Sequence, residues 1–177
     1  MLNEVLKKEE CAVCRFCCAF RRQSLWEVPK LPAYFVEKYK TDPNGRTIKY
    51  IRLAEVSIPE SAGTFDRDGV ITDLRDLYRT DDPEEEASCP FLDTTKGCIL
   101  PPEDKPFECS AWPLRYMRMP DGTLKVCLTP TCVAINKVDL DLLKQKTSEK
   151  WHEQMDAYAK SHPYIILDYR EGFIPLE

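Results

Sequence analysis

Apolar positions recur with helical or alternating spacing in several short stretches, and proline and glycine mark the breaks between them. Leu2, Val5 and Leu6 have helical spacing and predict a short opening helix. Pro32 stands where a helix starts, predicting one over residues 34–39. Asp42-Pro43-Asn44-Gly45 reads as a turn. Residues 48–53, with Val56 and Ile58, read as extended chain ending at Pro59. A second turn at Asp66-Arg67-Asp68-Gly69 precedes Val70-Ile71. The strongest hairpin signal pairs residues 115–119 with 123–128 around Pro120-Asp121-Gly122. In its second arm Leu124, Val126 and Leu128 share one face, and Cys127 lies on the other with Thr123 and Lys125. A helix follows over about 139–162. Asp139 stands at its start, the stripe Leu140, Leu143, Thr147, Trp151, Met155 and Tyr158 faces the core, and Pro163 lies past its end. The tail 164–177 carries Tyr164, Ile166 and Phe173 and is expected to pack back onto the rest.

Composition narrows the chemistry. The 177 residues suit one domain and show no repeat; 25 basic against 30 acidic side chains give a net charge of −5. That balance disfavours broad binding to nucleic acid or anionic membranes. Trp26, Tyr34, Phe35 and Tyr39, near Arg21, Arg22 and Lys30, fit either a stacking face for single strands or a buried aromatic cluster; the acidic balance favours the second. The acidic run 81–86 reads as an exposed, solvated loop. No apolar targeting segment opens the sequence and no stretch is long enough to span a bilayer, so a cytoplasmic location is expected. The unusual count is nine cysteines. In a reducing cytosol they are better explained by metal than by disulfides.

Four of them stand in eight positions, as Cys11-x2-Cys14-x2-Cys17-Cys18. Thiolates suit zinc, copper(I) and iron–sulfur clusters, and two-residue spacing lets one tight turn aim two sulfurs at one ion. The first three match the start of a ferredoxin run, but its fourth ligand position is Arg21, and the Cys-Pro pair stands instead at Cys89-Pro90. A zinc ribbon wants two separated CxxC pairs, and only one region supplies that spacing. No Ser-His-Asp order, phosphate loop, dinucleotide fingerprint or HExxH motif is present, and with 6 glycines there is little material for a phosphate cradle. The two histidines, His152 and His162, have ordinary helical roles. No catalytic residue is nominated.

Taken together, Cys11-x2-Cys14-x2-Cys17-Cys18, Cys89-Pro90-Phe91-Leu92, Gly97-Cys98-Ile99 and Lys105-Pro106-Phe107-Glu108-Cys109 with Trp112-Pro113 resemble the YkgJ-type cysteine-cluster family, described as a zinc- or iron-chelating domain. The resemblance spans roughly residues 11–135. Thr129-Pro130-Thr131-Cys132 fits the family's late cysteine better than Cys127 does. Arg15 and Ala19 stand where the family often has glycine and arginine, Lys105 stands for the usual arginine, and the insert between Cys18 and Cys89 is long. The resemblance implies eight metal ligands: Cys11, Cys14, Cys17, Cys18, Cys89, Cys98, Cys109 and Cys132. It leaves one site or two open, and the role of Cys127 with it. An iron–sulfur cluster is the expected cofactor because the CxxCxxC start and the Cys-Pro pair are ferredoxin-like; up to two zinc ions are the alternative.

The resulting expectation is an α+β fold: a small, irregular, metal-stabilised domain with a short antiparallel hairpin and a closing C-terminal helix. Residues 1–177 form one domain, with the core at 11–135, the helix at about 139–162 and the tail at 163–177. The function expected is electron transfer, redox sensing or support of a modifying enzyme, with a protein partner and neither membrane nor nucleic acid. The alternative is a zinc-stabilised interaction module without redox chemistry.

Overall fold

The structure is a computed structural model and describes residues 1, 4–6, 13–56 and 68–177. Cys11, Leu2, Ile58, Pro59, Asp66 and Arg67 lie outside the described residues. The strands are β1 (Ala19–Arg21), β2 (Leu31–Pro32), β3 (Tyr50–Arg52), β4 (Gly69–Thr72), β5 (Glu86–Ser88), β6 (Leu92–Asp93), β7 (Gly97–Cys98), β8 (Leu114–Arg118), β9 (Leu124–Leu128), β10 (Ile166–Asp168) and β11 (Ile174–Pro175). Among the described residues, α-helices include α1 (Tyr34–Lys38), α2 (Phe107–Ala111), α3 (Leu140–Lys146) and α4 (His152–Ser161), the last two joined by a π-helical turn at Thr147–Trp151. The fold is α+β, as the pattern of the sequence indicates.

The hairpin forms where expected, with Leu114 opposite Leu128 and Arg118 opposite Leu124. Its turn is fixed by Asp121, which accepts from the Thr123 amide at 2.9 Å and hydroxyl at 2.6 Å, and by Gly122, whose φ of 86° is left-handed. The tail then supplies both flanking strands. β10 pairs parallel with β8 and β11 antiparallel with β9, giving a mixed sheet ordered β10-β8-β9-β11. Leu114, Tyr116, Val126 and Leu128 form the face buried under the closing helix. The opposite face is covered as well: Met117 and Cys127 pack there against Leu167 and Phe173 of the tail.

The closing helix follows its expected span but not its expected stripe. Leu140 is 38% exposed, and the buried face runs Leu143, Thr147, Trp151, Met155, Ala159. These positions repeat every four residues. In an α-helix of 3.6 residues per turn each such step drifts by about 40°. The π turn winds more loosely and keeps the stripe on the core. At its start Thr147 donates its hydroxyl to the Leu143 carbonyl at 2.8 Å. Asp139 caps the start by accepting from the Asp141 amide at 2.9 Å, and Pro163 follows the end.

Residues 19–88 are mostly short strands. β3 is shorter than the extended chain expected from 48 onward, because Leu53 turns inward in a 3-10 turn, Leu53–Glu55, and is fully buried. β4 joins β2 and β3 in a three-stranded sheet, β2-β4-β3. A smaller core of Leu31, Phe35, Ile48, Val70 and Phe91 lies between this sheet and α1. The turn at Asp42–Gly45 forms, with Asp42 accepting from the Asn44 and Arg46 amides. The acidic run is exposed as expected, and it is also ordered. Glu85 accepts from the Arg79 and Thr80 amides, and Glu86 enters β5 opposite Arg21.

Candidate metal centre

Backbone pairing brings distant cysteines together. Arg15 adopts a left-handed φ of 52°, and the chain enters a 3-10 turn, Phe16–Cys18, closed by the Cys18 amide on the Arg15 carbonyl at 2.9 Å. β1 then pairs with β5, and the Cys89 amide donates to the Cys18 carbonyl at 2.8 Å. The double cysteine and the Cys-Pro cysteine, some seventy residues apart, are thus held side by side. Next, the Leu92 amide closes a turn on the Cys89 carbonyl, and the β6–β7 pairing sets Cys98 opposite Leu92. Gly97, at φ 78°, makes that short return possible. Cys109 projects from α2, whose start is set by Pro106.

Cys17, Cys18, Cys89, Cys98 and Cys109 line one cleft of about 140 Å³. The Cys17 and Cys18 sulfurs are 4.0 Å apart. Phe20, Leu31, Phe35 and Phe91 make its walls apolar, and the cations Arg15, Lys96, Lys105 and Arg115 border it, outnumbering the carboxylates of Glu27 and Glu108. The Cys18 sulfur, as hydrogen-bond partner, and then burial push the Cys17 thiol far up. Burial raises Cys89 to about 12, opposed by the Phe91 amide pointing at its sulfur. Burial also holds Cys109 well above the usual thiol range, with the neighbouring Cys89 and Cys17 adding to it and Lys105 opposing. These sulfurs repel charge singly. They become thiolates readily only when a cation shares them.

Cys132 sits beyond β9 and is buried. Burial raises its thiol, the amides of Ile135 and Ala134 oppose that, and the nearest thiols acting on it are Cys14 and Cys17. Amide N–H groups directed at cysteine sulfur stabilise the thiolate, and they occur here at both Cys89 and Cys132. Cys127 lies apart. It belongs to the core under the tail, its sulfur donates weakly to the Lys125 carbonyl at 3.9 Å, and burial raises it to about 11.

Behind Cys109 lies a buried charge cluster that the sequence reading did not single out. Arg115, its side chain 4% exposed, donates from Nη1 to Glu108 Oε1 at 3.0 Å and from Nη2 to the Glu27 carbonyl at 3.3 Å. Its guanidinium stacks on Trp112 at 4.6 Å. Lys30, as deeply buried, donates its amide to Glu108 and sets Nζ 3.9 Å from the same carboxylate. Burial first, then the Arg115 and Arg170 cations, hold Lys30 below the usual lysine range, against the pull of Glu108. The only sequence signals were Glu108 inside the Pro106–Cys109 motif and an arginine within a strand.

Of the eight cysteines implied as ligands, five line the cleft, Cys132 lies within electrostatic reach of Cys14 and Cys17, and Cys11 lies outside the described residues. The eight described cysteines are all free thiols. They surround the cleft rather than meet at a point: among the described residues no three Cys, His, Asp or Glu side chains are gathered closely enough to hold an ion as they stand. The chemistry of the donor set nonetheless fits a metal–thiolate centre, with soft ligands, amide donors and a cationic border. The histidines are elsewhere. His152 Nδ1 pairs with Glu177 at 2.6 Å, and His162 stacks on Tyr158. The aromatic residues form no common stacking face: Phe35 packs on Tyr39 and Phe91, Trp26 packs near Phe173, and Lys30 is buried. No described helix is long and apolar enough to cross a membrane. No family model, no curated protein and no solved structure matches the chain.

Proposed function

We propose that the chain is a cysteine-ligated metal protein of the YkgJ type, and that its centre is an iron–sulfur cluster serving electron transfer or redox sensing in a reducing cytosol. The observation that carries this reading is the convergence of five thiols, from four separate segments, on one apolar cleft bordered by cations. Structural packing alone would not require five sulfurs at one place. Cys17, Cys18, Cys89, Cys98 and Cys109 are the residues that would hold the group, with Cys14 and Cys132 beside them and Cys11 adjacent in sequence. Such a cluster, when bound, supplies a reversible one-electron couple whose potential depends on charge, hydrogen bonds and exposure. This chain's own residues set those conditions: Phe20, Phe35 and Phe91 exclude water, the Phe91 amide stabilises the Cys89 thiolate, and Lys105 offsets charge at Cys17 and Cys109.

One observation favours zinc instead. The 4.0 Å between the Cys17 and Cys18 sulfurs is near the edge of about 3.8 Å that a tetrahedron with 2.3 Å zinc–sulfur bonds would have. The protein would then be an interaction module without redox chemistry. The visible spectrum of anaerobically purified protein, before and after dithionite, separates the two. Broad absorption near roughly 400 nm that bleaches on reduction is the expected result. Colourless protein indifferent to dithionite would replace iron–sulfur by zinc.

A further inference from the structure

Arg115 is held more firmly than its one ion pair requires, and one of its donors is left over. Glu108, the Glu27 carbonyl and the Trp112 ring fix the guanidinium on three sides. Its Nε–H is buried and, among the described residues, has no hydrogen-bond partner. Such orphaned donors are rare and costly. The local charge is also uneven. Arg115 and Lys30, both nearly inaccessible, share the single carboxylate of Glu108, and an unbalanced buried charge is costly unless an opposite charge comes near. Glu108 and Arg115 border the same cleft as Cys109, which follows Glu108 in α2. Four thiolates on a divalent ion carry a net charge of about −2.

We infer that Arg115 is the built-in counter-charge of the metal–thiolate centre, its free Nε–H and positive charge reserved for the sulfur-lined cleft and its orientation set by Glu108. The inference rests on the metal reading and extends it to a positioning pair, Glu108 and Arg115, that holds no metal itself. The cation stabilises the anionic centre against loss of its metal. In an iron–sulfur centre it also raises the reduction potential, because the reduced state carries the extra negative charge. Glu108 acts oppositely, since its carboxylate weakens the cation's field.

The test uses the full chain, loaded anaerobically, as wild type, Arg115→Gln, Arg115→Lys and Glu108→Gln. Folding is followed by circular dichroism, metal release by the half-life against a chelator and, if iron is bound, the midpoint potential by titration. Arg115→Gln is expected to release metal about 10–100-fold faster and to lower the potential. Arg115→Lys, which keeps the charge, is expected to fall between it and wild type. Glu108→Gln keeps an oxygen acceptor for Arg115 and is expected to move the potential upward. Opposite signs at two touching residues would not follow from loosened packing. If Arg115→Gln does not fold, Arg115→Lys and Glu108→Gln carry the test. Loaded variants with wild-type release and potential, or shifts of one sign in all of them, overturn the inference and leave the metal reading standing. A folded wild type that binds neither iron nor zinc overturns both.

Discussion

Single residues separate the cysteines by task. Cys109 is half-buried and lines the cleft with Cys89 and Cys17, whereas Cys127 is buried with Met117, Leu167 and Phe173 on the far face of the main sheet. Replacing each by serine should therefore have different effects. Cys109→Ser is expected to abolish stoichiometric metal, because it removes a soft donor from an enclosed site. Cys127→Ser is expected to keep full metal content and to lose about 1–3 kcal/mol of stability, since a buried hydroxyl replaces a thiol among apolar neighbours. Metal analysis and denaturant midpoints of both variants check this; equal metal loss in the two would contradict the division. Gly69 offers a second residue-scale test. A Cβ there would press into Leu53 Cδ1 and lie 2.9 Å from Tyr164 Cδ1, both buried side chains. Gly69→Ala is expected to cost about 1–3 kcal/mol through overpacking, read as a lower urea midpoint, although alanine normally favours folding by restricting the unfolded chain. A neutral or raised midpoint would show that the contact is not tight.

Among the elements, α1 is joined to the 3-10 turn Pro102–Asp104 just before the Cys109 helix by one carboxylate. Asp104 accepts from Lys38 and from the Tyr39 hydroxyl, the latter at 2.6 Å. The Lys38 ammonium, then the Tyr39 hydroxyl, hold the Asp104 carboxyl below the usual carboxylate range. A carboxyl depressed in the folded state contributes stability above its unfolded value and loses it as pH falls through the folded one. The stability gap between wild type and Asp104→Asn is thus expected at neutral pH and to shrink below the ordinary aspartate value of about 3.9. Denaturant midpoints across that range test it; a gap independent of pH would mean that the carboxylate's charge plays no part. The elements also show which sequence signals carry furthest. The hairpin and the closing helix were legible because their signals are local: Asp121-Gly122 in the turn, Asp139 and Pro163 at the helix limits. The π turn was present in the sequence only as a four-residue recurrence of buried positions, which helical spacing alone absorbs without notice.

Across the whole molecule, the parts that the sequence hid depend on contacts between distant segments. Arg115 stands in Leu-Arg-Tyr-Met-Arg, where nothing local marks a charged side chain for burial. It is buried because Glu108, the Glu27 carbonyl and the Trp112 ring, from other segments of the chain, close around its guanidinium. Lys30 likewise reads as a surface cation until Glu108 is brought to it across 78 residues. The cleft was only half legible. The cysteine motifs named its sulfurs, but not the strand pairing β1–β5 that sets Cys18 against Cys89, nor the contribution of the insert, whose Leu31 and Phe35 line the same wall. Through these side chains the insert is part of the enclosure of the sulfurs.

The function proposed here depends on whether those sulfurs carry metal. The most direct measurement is iron, acid-labile sulfide and zinc per chain in protein purified without oxygen. Iron matched by sulfide is the expected result. Stoichiometric zinc without sulfide would keep the thiolate centre and discard its redox role, and folded protein with neither metal would rule out a metal–thiolate centre.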